Sequence, residues 1–275
     1  MAGLLAARVL SEFYEAVTVV ERDRLPNRPT HRRGVPQGRH LHNLSSRGAH
    51  VLAELFPGLL DELAAAGAVV ADGDLSRIYA RVGCYEFTRS GTLADPAALM
   101  LCLATRPFLE FHVRRRIMDL SNVTVLDGHA VAEPLGAAAA ITGVRVVDRD
   151  NGNAAALDAD LVVDAMGRAS RTPAFLEGLG CGRPTQTRWA TRVPYSSQRL
   201  RIPTGRIREQ LVASRVAHCA VLLVAGEQDS WTLAVGRPID AGGEPSDIAT
   251  MLAVAEDLLP PEIMGGLRRD VLKTP

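Results

Sequence analysis

The segment that most limits the fold is the opening one, MAGLLAARVLSEFYEAVTVVERD. Residues 1–16 carry Leu4, Leu5, Val9 and Leu10 at helical spacing among alanines, which predicts a helix. VTVVE at 17–21 is a β-branched run ending on a carboxylate, which predicts a short buried strand. A helix leading into a strand that ends on Glu is the second half of a βαβ dinucleotide-binding unit, whose terminal carboxylate accepts hydrogen bonds from a ribose. Glu21 lies 18 residues after Gly3, near the spacing of about 20 between glycine loop and carboxylate. Met1-Ala2-Gly3 fits the last three positions of G-x-G-x-x-G, so the expected first strand and first two glycines are missing. An ordinary surface Glu after a strand matches the same letters, and the rest of the chain has to decide.

Composition narrows the classes. The 275 residues are 47% hydrophobic and 23% charged, enough to bury a core and unlike a disordered chain. Acidic and basic residues balance at 31 each, which argues against a broad nucleic-acid surface. An apolar stretch such as Cys219 to Ala225 is far short of the roughly 20 residues of a membrane span. Cys84, Cys102, Cys181 and Cys219 form no CxxC pair and have no His at zinc-ligand spacing. They are expected to be reduced, mostly buried thiols of a cytoplasmic protein.

Further elements follow from pattern. RDRLPNRPTHRRGVPQGRH reads as a basic, proline-rich loop. Residues 42–55, 59–66, 105–120, 246–259 and 261–269 read as helices. Residues 76–90, 122–126, 141–148 and 156–167 read as strands, the last two joined by an Asp-Asn-Gly-Asn turn at 150–153. Residues 188–195, 217–225 and 230–236 read as longer antiparallel strands, with Glu227-Gln228-Asp229 as a turn. The alanine run at 137–140 reads as a loop or strand edge.

In order and spacing, MAGLLAARVL with VTVVERD, RRGVPQGRHLHNL, FPGLLDELAAAGA, TRPFLEFHVRRRI and ADLVVDAMGRASRTPAFLEGLG together carry a resemblance. The chain resembles the flavin-dependent monooxygenases of the para-hydroxybenzoate hydroxylase type. It is most similar to the bacterial FAD-dependent oxidoreductases related to the polyprenyl-methoxyphenol hydroxylases. The resemblance implies a mixed α/β fold, with a Rossmann-like FAD-binding domain lacking its first strand and an antiparallel-sheet substrate domain. The FAD-binding part is expected over 1–180, with a substrate-side segment interleaved at about 68–104, and the substrate sheet and helical tail over 181–275.

Residue by residue, the resemblance implies that Gly3 lets the helix N-terminus approach the FAD pyrophosphate. Glu21 binds the adenosine ribose and Arg22 lies against the adenine side. Arg33 and Gln37 sit in the loop that approaches the flavin. Arg106, opening the Arg-rich helix, contacts the pyrophosphate or the ribityl side. Arg suits this task because its planar fork matches phosphate oxygens. For Arg114, Arg115 and Arg116 a solvated basic face is the preferred reading, since consecutive helix positions cannot all face one ligand.

Asp164-Ala-Met-Gly-Arg-Ala-Ser-Arg forms the second fingerprint. In the family an Asp-Gly pair here touches both FAD and the path of NAD(P)H. With Gly167 in the glycine place, Met166 occupies the aspartate place and Asp164 falls two residues earlier. Asp164 and Gly167 are therefore implied flavin-domain residues, while use of NAD(P)H stays open. The alternative for Asp164 is a carboxylate capping the turn into the next helix.

His40 and His42, with Gln37, are candidates to line the flavin's reactive face. They lack a third metal ligand, and no G-x-S-x-G nucleophile elbow occurs. Flavin hydroxylation needs neither, because the cofactor performs the oxygen chemistry. Tyr195, Trp189 and Trp231 are candidate linings for the substrate, with core packing preferred for Trp231. The family's later glycine–aspartate motif does not occur before Pro275, so a chain truncated at both ends and holding FAD weakly or not at all is expected. Three functions stay open: an FAD-dependent monooxygenase of an apolar or aromatic small molecule, a non-catalytic relative keeping the fold without flavin, and a flavin-dependent reductase of a prenyl-like lipid. None of them involves nucleic acid or a membrane span.

Overall fold

The computed structural model describes residues 1–189, 194–238, 245, 247–268 and 272–273. Its elements run α1 (Ala2–Leu10), β1 (Val17–Glu21), α2 (Ser46–Leu55), α3 (Leu59–Ala65), β2 (Val69–Asp72), β3 (Ile78–Val82), β4 (Tyr85–Glu86), β5 (Met100–Leu103), α4 (Arg106–Met118), β6 (Val123–Asp127), β7 (His129–Ala137), β8 (Ala140–Asp148), β9 (Ala154–Asp158), α5 (Thr172–Gly178), β10 (Tyr195–Arg201), β11 (Leu211–Val216), β12 (Cys219–Ala225), β13 (Ser230–Gly236), α6 (Ile248–Glu256), α7 (Pro261–Arg268) and β14 (Leu272–Lys273). This is the mixed α/β class expected from the sequence. The chain divides into one unit of Met1–Val35 with Glu110–Trp189, and another of Pro36–Leu109 with Ala190–Pro275.

In the first unit β1 lies parallel to β6, in register from Val17 opposite Val123 to Glu21 opposite Asp127. The opening helix stops at Leu10 rather than running to residue 16. The Asn122 side-chain amide explains this, donating to the carbonyls of Ser11 at 2.9 Å and Tyr14 at 3.0 Å. Those carbonyls are held outside any helical ladder, and the chain reverses into β1. Strands β7, β8 and β9 form an antiparallel meander, with the alanine run at the β7–β8 hairpin.

The segment 156–167, expected as one strand, does not hold together. Strand β9 ends at Asp158, and residues 161–166 take no regular structure. Leu161, Val162, Val163 and Met166 are exposed there. A strand persists only where a neighbour completes its hydrogen-bond ladder, and no described residue pairs with these.

The second unit is built on a seven-stranded sheet ordered β14-β10-β13-β12-β11-β3-β4. It is antiparallel except where β3 runs parallel to β11, so the expected antiparallel sheet is in fact mixed. One face packs Leu200, Val221, Leu223, Leu233 and Val235 against Met251 and Ala255 of α6 and Ile263 and Leu267 of α7. The other face meets the β2–β5 ribbon through Ile78 and Val224 against Ala71, Leu101 and Leu103. The β12–β13 hairpin turns through Gln228 (φ 54°) and Asp229 (φ 58°), the left-handed pair that matches the strand twist.

Two sequence readings change here. Cys102 is buried, and burial pushes its thiol pKa up to about 11; Cys84 and Cys181, by contrast, are exposed rather than buried. Trp189 lies outside the sheet and is exposed, whereas Trp231 is buried and donates from its indole nitrogen to the Ile202 carbonyl at 3.2 Å. No helix among the described residues is long and apolar enough to cross a membrane.

Candidate functional site

In the first unit, Gly3 lies in the first turn of α1 and Glu21 closes β1. A Cβ at Gly3 would come 3.3 Å from the Cβ of Ala165. The helix start and the Asp164–Gly167 segment therefore meet closely, with little room for a side chain at Gly3. Helix α1 packs on β1 across the reversal at 11–16, which carries the helix start and Glu21 to one end of the pair.

Glu21 is part of a charge cluster. Its Oε1 accepts from the Asp23 backbone N–H at 3.0 Å, and its Oε2 lies 3.0 Å from Arg32 Nη1. The same Arg32 guanidinium reaches Asp23 at 3.1 Å and Glu110 at 2.7 Å. Arg32 and Asp23 are each 12% exposed at the side chain and Glu110 is 7% exposed. Burial works to lower the Arg32 pKa, but the charges of Glu110 and Glu21 outweigh it and hold it above its ordinary value. One cation thus orders three carboxylates, and each carboxylate oxygen of Glu21 keeps a lone pair for a further donor.

Arg33, the residue implied by the resemblance, is exposed, and its neighbour Arg32 is the one that meets Glu21. Arg22 is also exposed, and its carbonyl accepts from Arg149 at 3.1 Å. The solvated face expected of Arg114–Arg116 holds for Arg115 but not for Arg114, which is 5% exposed and donates to the Pro26 carbonyl. The sequence reading missed Arg32, Asp23 and Glu110. Charged residues flanking the proline-rich loop were the available signal.

Asp164 accepts from the Met166 N–H at 2.8 Å and from the hydroxyls of Ser170 and Thr172. It therefore organises the turn that leads through Gly167 (φ 61°) into α5. Burial pushes its pKa up, yet these hydrogen bonds together bring it below the ordinary value. A depressed folded-state pKa contributes stability above the unfolded value, lost as pH falls through the folded one. Asp164 is accordingly expected to titrate below the ordinary aspartate value in a carboxyl-carbon NMR titration. The Thr172→Val variant should move it back up. A midpoint that does not change in that variant would count against this role.

In the second unit, Gln37 is exposed in a single 3₁₀ turn, Pro36–Arg39. His40 Nδ1 lies 3.0 Å from Ser197 Oγ on β10. His42 Nδ1 donates to the His40 carbonyl at 2.9 Å. Burial lowers the His42 pKa, and the charge of Arg106 lowers it further. Arg106 opens α4. Next to it, Thr105 donates to Glu227 through its backbone N–H at 2.8 Å and its hydroxyl at 2.6 Å. Glu227 is 8% exposed, and the start of a helix stabilises such a buried carboxylate. Arg199 of β10 stands 3.8 Å from it. Ser197, Arg199 and Glu227 were not singled out from sequence, although alternation along a strand marks the first two as sharing a face.

No family model matches the chain. It is 37% identical to Protein Rv3254 of Mycobacterium tuberculosis over 276 residues, covering 97% of this chain and 57% of that protein. The chain therefore spans a little over half the length of that relative. Among solved structures it is similar to Pseudomonas aeruginosa PqsL in complex with 2-aminobenzoylacetate (TM-score 0.69, 17% identity, 99% of this chain and 70% of that one). It is also similar to the flavin-dependent brominase Bmp2 (0.65, 13%, 100% and 63%). A third is the flavin-dependent monooxygenase PieE in complex with FAD and substrate (0.61, 18%, 99% and 46%). The fold is that of the FAD-dependent monooxygenases and halogenases. At these identities the likeness speaks for the architecture, and the chemistry has to be argued from the residues.

Proposed function

We propose that this chain belongs to an FAD-dependent oxidoreductase, a cytoplasmic bacterial monooxygenase that hydroxylates an apolar or aromatic small molecule with NAD(P)H and oxygen. The observation that carries the reading is the pairing of a glycine-opened helix with a parallel strand that ends on Glu21. The groups present fit the adenosine half of FAD. The α1 N-terminus and Gly3 offer backbone N–H groups to a pyrophosphate. Glu21, fixed by Arg32, offers acceptors to a ribose. Arg106 and Gln37 are assigned to the pyrophosphate, ribityl or flavin side, Arg22 and Arg33 to the adenine side and the flavin loop, and Asp164 with Gly167 to the turn facing the cofactor. Residues 1–180, with 68–104 interleaved, form the FAD part, and 181–275 the substrate sheet. When bound, FAD supplies the redox and oxygen chemistry. The residues of the chain bind, orient and exclude water. PqsL is in complex with 2-aminobenzoylacetate and PieE with FAD and substrate, which supports a small aromatic or apolar substrate here.

The exposed run Leu161–Val163, unpaired among the described residues, favours one further point, that residues 1–275 alone hold FAD weakly or not at all. The test is a flavin-fluorescence titration with FAD and with FMN, which lacks the adenosine. FAD is expected to bind more tightly than FMN. The Glu21→Gln variant should weaken FAD about tenfold, the loss of roughly 1.4 kcal/mol of charge-assisted hydrogen bonding, and leave FMN unchanged. Equal losses for both ligands would remove the cofactor reading and leave the non-flavin relative. NAD(P)H consumption with and without oxygen separates hydroxylase from lipid reductase.

A further inference from the structure

The turn between β12 and β13 is held from several sides. The Gly226 N–H donates to the Ser230 carbonyl at 2.7 Å, and the Ser230 N–H donates to the Glu227 carbonyl at 3.0 Å. Between them Gln228 and Asp229 keep left-handed φ values of 54° and 58°, a conformation that glutamine takes far less readily than glycine. Asp229 is clamped from outside the turn. Its carbonyl accepts from the Ile202 N–H at 3.1 Å, and its carboxylate accepts from the Thr204 hydroxyl at 2.6 Å. Two glycines let neighbours come close. A Cβ at Gly67, just after α3, would fall 4.0 Å from the Glu227 Cβ, and one at Gly226 would fall 3.9 Å from the Thr105 Cγ2. Backbone of this kind persists only where its surroundings over-determine it, so the Glu227 side chain leaves from a fixed point.

From that point both carboxylate oxygens of Glu227 engage one residue. Oε2 accepts from the Thr105 N–H at 2.8 Å and Oε1 from the Thr105 hydroxyl at 2.6 Å. Thr105 also caps α4. Its carbonyl accepts from the Leu109 N–H at 3.1 Å, and its hydroxyl oxygen faces the Phe108 N–H at 3.4 Å. A threonine is by itself a sufficient cap, so the buried carboxylate adds something else, a two-pronged grip from a distant element of the fold. A hydroxyl has a single proton. Given to Glu227, it leaves the Thr105 oxygen as an acceptor for the helix, and the rotamer and the first turn are set together. Arg199, 3.8 Å away, offsets the charge of Glu227. The residue after Thr105 is Arg106, which opens α4 and whose charge bears on His42.

We infer that Glu227 is a positioning residue: through Thr105 it fixes the start of α4, and with it the place of the Arg106 guanidinium. Helix ends fray, and an arginine on a fraying turn spreads over many positions. Tied at the residue before it, Arg106 stays where its charge reaches His42. A donor ordered before its ligand arrives loses less freedom on binding. What Arg106 is held ready for rests on its assignment to the flavin or phosphate side of the cofactor; the positioning itself does not.

The test is a double-mutant cycle read on the His42 imidazole by NMR titration of residues 1–275 without flavin. Burial, the His40 carbonyl, Arg106 and the His40 ring act on His42. Arg106→Met should raise the His42 midpoint, because a cation that holds it down is gone. Glu227→Ala should raise it too, as Arg106 leaves its place. Loss of the Glu227 charge, which also uncovers Arg199, would by itself lower the midpoint, so the sign separates positioning from simple electrostatics. In the Glu227→Ala background, Arg106→Met should add less than it does in the parent. Glu227→Gln keeps an oxygen for the Thr105 N–H and should give a smaller rise. If Glu227→Ala fails to fold, Thr105→Val runs the same cycle with the carboxylate retained. A midpoint that falls or stays in Glu227→Ala, or an Arg106→Met rise of equal size in both backgrounds, would overturn the positioning role. An FAD titration of Glu227→Ala reads the assignment of Arg106 separately, with about tenfold weaker binding expected. An intact cycle with unchanged FAD binding supports the positioning and removes Arg106 from the cofactor. A failed cycle with weakened FAD overturns the positioning and leaves the cofactor reading standing.

Discussion

Replacing Arg32 with Met should lower the unfolding free energy by about 3–5 kcal/mol, the cost of breaking a buried ion pair from one side. The magnitude follows from what remains. Glu110 is buried at 7% side-chain exposure and Asp23 at 12%, and Glu21 stands with them, so three carboxylates lose the cation they share. The Asp23 carboxylate also accepts from the Gly34 N–H at 2.8 Å, so the loop that carries Arg32 loses part of its anchorage too. Water has to enter or the carboxylates have to take up protons. The adjacent Arg33→Met, at an exposed position, is expected to stay within about 0.5 kcal/mol of the parent. Urea unfolding followed by circular dichroism measures both. Indistinguishable midpoints for the two variants would mean that the Arg32 cluster does not hold this unit together.

That contrast also shows where the sequence stops being legible. VTVVE and SWTLAVG were readable as strands to the residue, because β-branched and apolar runs of that length bury in few other ways. Helix α1 was read too long because its terminator, Asn122, lies more than a hundred residues away. LVVDA has the composition of a strand, but composition cannot supply the neighbour a strand needs, and the segment stays irregular and exposed. Strand β11, LVASRV, went unread because Ser214 and Arg215 break its apolar pattern.

The site divides in the same way. The place of Glu21 at the end of β1 was legible because a β-branched run closing on a carboxylate marks a strand end. Choosing Arg32 over Arg33 was not, since the two are adjacent in a loop and only the position of Glu110, 78 residues on, separates them. Arg114 was misread because one helix turn has an inner and an outer face, and the letters Arg-Arg-Arg do not say which is which.

In the second unit the largest expected loss comes from Leu233→Ala. Leu233 is fully buried on β13, opposite Gln198 of β10 on one side and Leu223 of β12 on the other. Its side chain joins the cluster that α6 and α7 cover, with Leu223, Val235, Met251 and Ile263. A site hydrogen-bonded on both edges and roofed by helices cannot collapse to fill a void, so the cost should sit near the upper part of the usual range, about 3–5 kcal/mol. Trp231, two residues away on the same strand face and in the same cluster, reports the event, because unfolding carries its buried indole into water and shifts its emission to the red. The contrast is Val162→Ala, at an exposed position with no strand partner among the described residues, which should change stability by less than about 0.5 kcal/mol. A Leu233→Ala loss under about 1 kcal/mol would mean that the sheet relaxes around the void.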